Sequence, residues 1–203
     1  RRARGIAPDA PVLALLPGSR VGEASRLLPV FAQVAGLLHA QRPGLEIILP
    51  TVEQVWATVT DAVRPWSVPT HIVRNGGERA DAFAAADAAL AASGTVSLEL
   101  ALRRIPAVIA YRTNPITAAL VRRMLTIPRV ALPNILASRQ VIPEFLQENC
   151  KPEPIAAALA QLLDDPAQRA AQQSELAHIA EMLGRGGVAP SLRAADAVLK
   201  VVG

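Results

Sequence analysis

The sequence predicts an α/β domain with a doubly wound, Rossmann-like parallel sheet and a helical C-terminal tail. Three observations predict it. Short apolar runs alternate with stretches of helical periodicity. Gly, Pro and small polar residues mark most of the junctions between them. After residue 143 the apolar runs stop and only helical patterns continue. No internal repeat and no long linker divides the chain, so residues 1–203 read as one domain.

The elements follow in order. Val12 to Leu16 is a buried strand ended by Pro17-Gly18. Leu27, Leu28, Phe31, Val34, Ala35 and Leu38 then share one helical face, with Pro29 expected in the first turn, where a missing N–H costs little. Pro43-Gly44 ends that helix; Leu45 to Leu49 is a second strand and Val52 to Val63 a second helix. His71 to Val73 is a third strand, and a short helix through Ala80 to Ala86 leads to a fourth, Ala88 to Ala92. A helix over Val96 to Arg103 and an extended segment over Ala107 to Tyr111 come next. Asn114-Pro115 opens a helix running through Met124, and Arg129 to Leu132 is a last short strand broken by Pro133-Asn134. From about Pro143 the chain reads as helical, over Pro152 to Leu163, Pro166 to Leu183 and Ser191 to Val201.

Composition narrows the function classes. Hydrophobic residues make up 51% of the chain and aromatics only 3%, so the core must be built from Leu, Val, Ile and Ala. The formal charge of +4 suits an anionic ligand or an anionic membrane surface. No Lys/Arg run is interleaved with aromatics, so nucleic acid is not an expected partner. The single cysteine, Cys150, cannot form an intrachain disulfide, and its polar setting between helices does not suit a nucleophile. Such cysteine usage fits the cytoplasm. No apolar run reaches the roughly 18 residues of a membrane-spanning helix. The chain starts at Arg1 without a Met and reads as a piece of a longer protein.

Two turns carry the chemistry. Ser93-Gly94-Thr95 follows the fourth strand and precedes a helix, where free backbone N–H groups suit phosphate oxygens. Glu99 stands one helical turn after Thr95, and a carboxylate there suits the two hydroxyls of a ribose. Gly18-Ser19-Arg20 follows the first strand. Gly18 allows close backbone approach, Ser19 offers a hydroxyl, and the Arg20 guanidinium matches phosphate. Both turns fall at carboxyl ends of strands, where such sheets bind ligands. The simpler alternatives are a Ser or Thr helix cap and solvated Arg20 and Glu99 side chains. Asn134 reads either as a turn-stabilising amide or as a loop residue near the sugar or phosphate, and Arg112 either as an anion contact or as solvated. His39, His71 and His178 are dispersed and no Asp-x-Asp occurs, so no metal site is expected. No Gly-x-Gly-x-x-Gly follows the first strand and no Gly-Lys-Ser/Thr is present, which weakens a dehydrogenase or a P-loop NTPase.

In order and spacing, Leu15 to Arg20, Ala86 to Glu99, Pro106 to Arg112, Leu132 to Ala137 and Pro143 to Gln147 together resemble the lipid-A-disaccharide synthase family. The resemblance implies the C-terminal, UDP-sugar-binding domain of a GT-B inverting glycosyltransferase. It implies transfer of 2,3-diacylglucosamine from its UDP carrier to 2,3-diacylglucosamine 1-phosphate, releasing UDP. It also implies no metal or organic cofactor, a place in the cytoplasm at the inner-membrane surface, and dimers, which no residue here shows. Carried onto this chain, Arg20 stabilises the leaving diphosphate. Gly18, Ser19, Ser93, Gly94 and Thr95 hold phosphate, Glu99 holds the ribose, and Asn134 lies on a loop near the site. Ile116 to Ile127, with Arg122 and Arg123, is expected either to touch membrane or to pack on the core.

Family members are about twice this long, and their N-terminal domain is expected to hold the acceptor site and the general base. The chain alone is therefore expected to bind UDP weakly without turnover. Two rival readings remain. One is another GT-B enzyme, a UDP-N-acetylglucosamine 2-epimerase or the transferase of peptidoglycan precursor synthesis. The other is a non-catalytic UDP-binding module.

Overall fold

A computed structural model describes residues 1–74, 77–113 and 129–184, with 192, 195, 196, 198 and 199 of the tail. Its centre is a six-stranded sheet of β1 (Val12–Leu16), β2 (Glu46–Thr51), β3 (Thr70–Arg74), β4 (Ala88–Ala92), β5 (Ala107–Tyr111) and β6 (Glu144–Leu146). The order is β3-β2-β1-β4-β5-β6 and every pairing is parallel. Winding runs outward from β1 through β2 to β3, then restarts at β4 and runs the other way. β1 and β4 are thus neighbours at the switch point, in register from Leu13↔Ala88 to Leu16↔Ala91.

Burial on both faces explains the unbroken apolar strands. All five residues of β1 and all five of β4 are buried. Leu13, Leu15, Leu90 and Val108 face one core with residues of α1 (Val21–Gln41), α2 (Trp56–Val63) and α6 (Pro152–Asp164). Ala14, Leu16, Ala91 and Ile109 face the other core, with α3 (Gly77–Ala85), α4 (Val96–Arg103) and α7 (Pro166–Met182). Gln172 of α7 pins the start of β5: its Oε1 accepts the Ala107 N–H at 2.6 Å, and its Nε2 donates to the carbonyls of Ala107 and Val141.

The structure departs from the sequence reading in three places. Pro29 lies inside α1, because the helix begins at Val21 and not near Leu27. The ring faces solvent, as does Ser25 one turn earlier, so the carbonyl it leaves unpaired can turn to water. Over Arg129–Leu132 there is no strand. Leu132–Leu136 is a short helix, α5, with Pro133 in its first turn, where proline fits. The preceding backbone spends its donors on a side chain: Val130 N–H and Ala131 N–H donate to the Glu144 carboxylate at 2.9 and 3.1 Å. Conversely, the stretch expected to be helical from about Pro143 opens with β6, held by pairing with Ile109 to Tyr111 of β5. The expected helix from Asn114 through Met124, and the Ile116 to Ile127 membrane face, lie outside the described residues. In the tail, residues 192, 195, 196, 198 and 199 are helical.

Candidate functional site

At the carboxyl ends of β1, β2 and β4 the two turns face each other across a cleft of about 450 Å³. That volume is in the range of a small-ligand site. Gly18, Ser19 and Arg20 line one side, and Ser93, Gly94, Thr95 and Glu99 the other. Pro50 and Val52 come from the end of β2, and Arg79 from α3. The switch point puts these segments together: the chain leaves β1 and β4 toward opposite faces of the sheet, and the two departures leave a crevice between them.

Neither helix that starts here is capped by a side chain. Arg20 is the N-cap of α1 and Thr95 that of α4, and neither side chain bonds to its helix. Two serine hydroxyls are used elsewhere: Ser93 Oγ donates to the Val130 carbonyl at 3.1 Å, and Ser97 Oγ to the Gly94 carbonyl at 2.7 Å. Among the α-helices whose N-caps are described, only α7 has a side-chain cap, with Asp165 Oδ1 accepting from Ala167 N–H and Gln168 N–H, so what sets these two starts apart is that they meet at one cleft. Two uncapped helix starts at one cleft concentrate N–H donors and positive dipole ends, which suits a phosphate-bearing ligand.

Glycine makes both turns possible. Gly18 has φ +109° and Gly94 φ +144°, where other residues are strained. The neighbourhoods differ. Nothing stands within 4 Å of a Cβ built on Gly94, whereas one on Gly18 would lie 2.5 Å from the carboxyl carbon of Glu23. Glu23, on the first turn of α1, bends back over the loop, and its carboxylate accepts the Ser19 N–H. Burial raises its pKa; the Ser19 N–H and the charge of Arg20 pull it down by less.

Glu99 is held by cations. Arg79 Nη2 donates to its Oε2 at 2.5 Å, and Arg103 Nε lies 3.6 Å from its Oε1. Both guanidiniums sit over the Phe83 ring, 5.0 and 5.1 Å from its centroid, so α3 and α4 jointly aim the carboxylate. Arg79 and Glu23 escaped the sequence reading. Arg79 sits twenty residues before Glu99 with no motif around it, while Glu23 had a usable signal, an acidic residue three positions after the helix-starting Arg20.

Asn134 is not brought to this cleft. It is fully buried, and its amide is occupied. Oδ1 accepts from Val141 N–H and Ile142 N–H, and Nδ2 donates to the Ile142 carbonyl and to Glu144 Oε1. The turn-stabilising alternative describes it. Arg112 donates to the Cys150 carbonyl at 2.6 Å and does not line the cleft. His71 pairs with Glu46 at 2.8 Å in the neighbouring strands. Among the described residues no three His, Cys, Asp or Glu side chains converge as a metal site, and no helix is long and apolar enough to cross a membrane.

Comparison with known proteins places this geometry. The family described as lipid-A-disaccharide synthetase matches residues 1–196. A lipid-A-disaccharide synthase of Rhodospirillum centenum is 48% identical over 202 residues, covering 100% of this chain and 50% of that protein. One of Paramagnetospirillum magneticum is 47% identical over 204 residues, covering 100% of this chain and 52% of its own length. The chain thus spans about half the length of these curated relatives, the C-terminal half. Among solved structures, WaaG, a glycosyltransferase involved in lipopolysaccharide biosynthesis, superposes with a TM-score of 0.61 at 16% identity, over 89% of this chain and 45% of that one. Acinetobacter baumannii MurG gives 0.59 at 16% identity, over 98% of this chain and 52% of its own. At such identities these two likenesses speak for fold alone, the GT-B glycosyltransferase type.

Proposed function

The chain belongs to the lipid-A-disaccharide synthetase family, and from that premise we propose that it is the UDP-sugar-binding half of the lipid A glycosyltransferase. The reaction is transfer of 2,3-diacylglucosamine from its UDP carrier to 2,3-diacylglucosamine 1-phosphate. The observation that carries this reading is the convergence of two uncapped helix starts and Glu99 on one cleft. The diphosphate lies against the Gly18 to Arg20 and Ser93 to Thr95 turns, and the ribose hydroxyls donate to Glu99. As the glycosidic bond to UDP breaks, negative charge grows on the β-phosphate. Arg20 and the two helix starts are fixed positive groups at that place, and they stabilise it more than the ground state.

The acceptor site and the base that removes the acceptor proton belong to the part of the family's length that this chain does not span. The chain alone therefore binds UDP and does not turn over; detectable disaccharide synthesis by it overturns this division. Acylated substrates call for a membrane surface, which this reading takes to be the cytoplasmic face of the inner membrane, and co-sedimentation of the chain with anionic liposomes tests the membrane contact. The family match over residues 1–196 favours this reading over an epimerase or a peptidoglycan-precursor transferase. Calorimetric titration with UDP tests the site. Glu99→Ala is expected to weaken binding about 10-fold, or about 1.4 kcal/mol, and unchanged affinity would refute the ribose role.

A further inference from the structure

We propose that Glu23 is a built-in occupant of the phosphate cradle, an internal carboxylate that the nucleotide's diphosphate must displace. The inference rests on the reading of the cleft as a UDP site. Glu23 leaves the first turn of α1 and folds back, so that its carboxylate lies against Gly18 and accepts the Ser19 N–H. That N–H, Arg20 beside it and the uncapped start of α1 are the groups a phosphate at this turn would use. One N–H cannot serve both anions at full strength, and two negative charges in a half-buried cleft repel. Gly18 is what gives the carboxylate its seat, since any Cβ there would collide with it.

The role is specific to phosphate. With the site empty, Glu23 satisfies the loop and holds it in shape. A diphosphate brings more charge and more acceptor oxygens than one carboxylate and takes the cradle over. A nucleoside without phosphate leaves Glu23 in place. Glu23 therefore lowers affinity for UDP without touching affinity for uridine, and its return to the cradle favours release of UDP after transfer.

Calorimetry with UDP and with uridine on the 203-residue chain tests this. Glu23→Gln keeps an oxygen for the Ser19 N–H and removes the charge. It is expected to bind UDP about five-fold more tightly, with uridine unchanged within about two-fold. Glu23→Ala, which removes the acceptor as well, should move UDP affinity in the same direction. UDP affinity that is unchanged or reduced in both variants overturns the proposal, since Glu23 then only braces the turn. So does a gain shared equally by uridine, which would place the effect on the nucleoside. If the native chain binds no UDP, the reading of the cleft fails and takes this inference with it. If it binds UDP and the variants gain nothing, only this inference fails.

Discussion

The β1–α1 turn places Glu23 three residues after Arg20, and the β4–α4 turn places Glu99 four residues after Thr95. Both carboxylates stand on the first turn of a helix without a side-chain cap, and both line the same cleft. Their partners differ. Glu23 turns inward onto its own loop and takes a backbone N–H. Glu99 is turned aside by two guanidiniums that stack on Phe83. A carboxylate near a helix start can thus either occupy an anion site or border it, and the neighbouring cations decide which. The first turn holds its own anion; the second ties its Ser97 and Leu98 N–H groups to the Gly94 and Thr95 carbonyls and presents an aimed acceptor.

The largest effect expected lies outside the cleft and provides the control. Asn134→Ala strands a buried N–H of Ile142, a part-buried N–H of Val141 and the Ile142 carbonyl between α5 and β6. Denaturant unfolding should show a loss of about 3 kcal/mol, while UDP affinity of the folded variant stays within about two-fold. A selective loss of UDP affinity would restore Asn134 to the site. Next comes the contrast between glycines. Both alanines carry backbone strain of about 1–3 kcal/mol, and Gly18→Ala, which must also push the flexible Glu23 carboxylate aside, should cost more than Gly94→Ala by up to about 1 kcal/mol. In a Glu23→Ala background the Gly18→Ala cost should fall toward the Gly94 value. A fully additive double mutant would show that the Glu23 seat and Gly18 are independent.

Much of this architecture is legible from the residues themselves. β1, β4 and β5 are unbroken apolar runs because they are covered on both faces, and each helix behind them shows its apolar stripe. The pairing of the two turns is legible too, since both follow strands that meet at the switch point. β6 is not: it is three half-buried residues whose extended shape comes from pairing with β5 and from Glu144 gathering the 130–131 N–H groups. Pro29 was misleading because a solvent-facing proline is tolerated inside a helix of 21 residues with eight buried side chains. Asn134 was half legible: its turn-stabilising role was one of two readings, and only its partners Val141, Ile142 and Glu144 decide between them. Arg79 was beyond reach, because its role is set by Glu99 from another helix and by the Phe83 ring.

A smaller effect separates aiming from bordering at the second turn. Arg79→Ala leaves Glu99 with Arg103 as its cationic neighbour, still in the cleft but less fixed. If Arg79 works by positioning Glu99, uridine and UDP should both weaken about three-fold, less than in Glu99→Ala. In a Glu99→Ala background Arg79→Ala should then have no further effect on uridine. An equal loss with and without Glu99 would mean that Arg79 meets the nucleotide directly.

The smallest effect is the most direct probe of how the two carboxylates differ. Burial holds the Glu23 carboxyl above its ordinary value, outweighing Ser19 and Arg20. The folded chain therefore binds this proton more tightly than the unfolded chain. Between the ordinary glutamate pKa and the raised one, the folded state carries more protons, so stability falls as pH rises through that window and levels off above it. Glu23→Gln has no proton to lose and lacks this step. Arg20 on the same loop, and Arg79 and Glu99 across the cleft, are the other charged groups facing it, and they are unchanged in the variant. The stability gain of Glu23→Gln over the native chain should grow from pH 4 to pH 7 and stay below about 1 kcal/mol, since one pKa unit is worth 1.36 kcal/mol and the group is only half-buried. Urea unfolding of both proteins at each pH reads the difference. A gap that is constant with pH would mean that Glu23 is no more strained in its seat than a carboxylate in water.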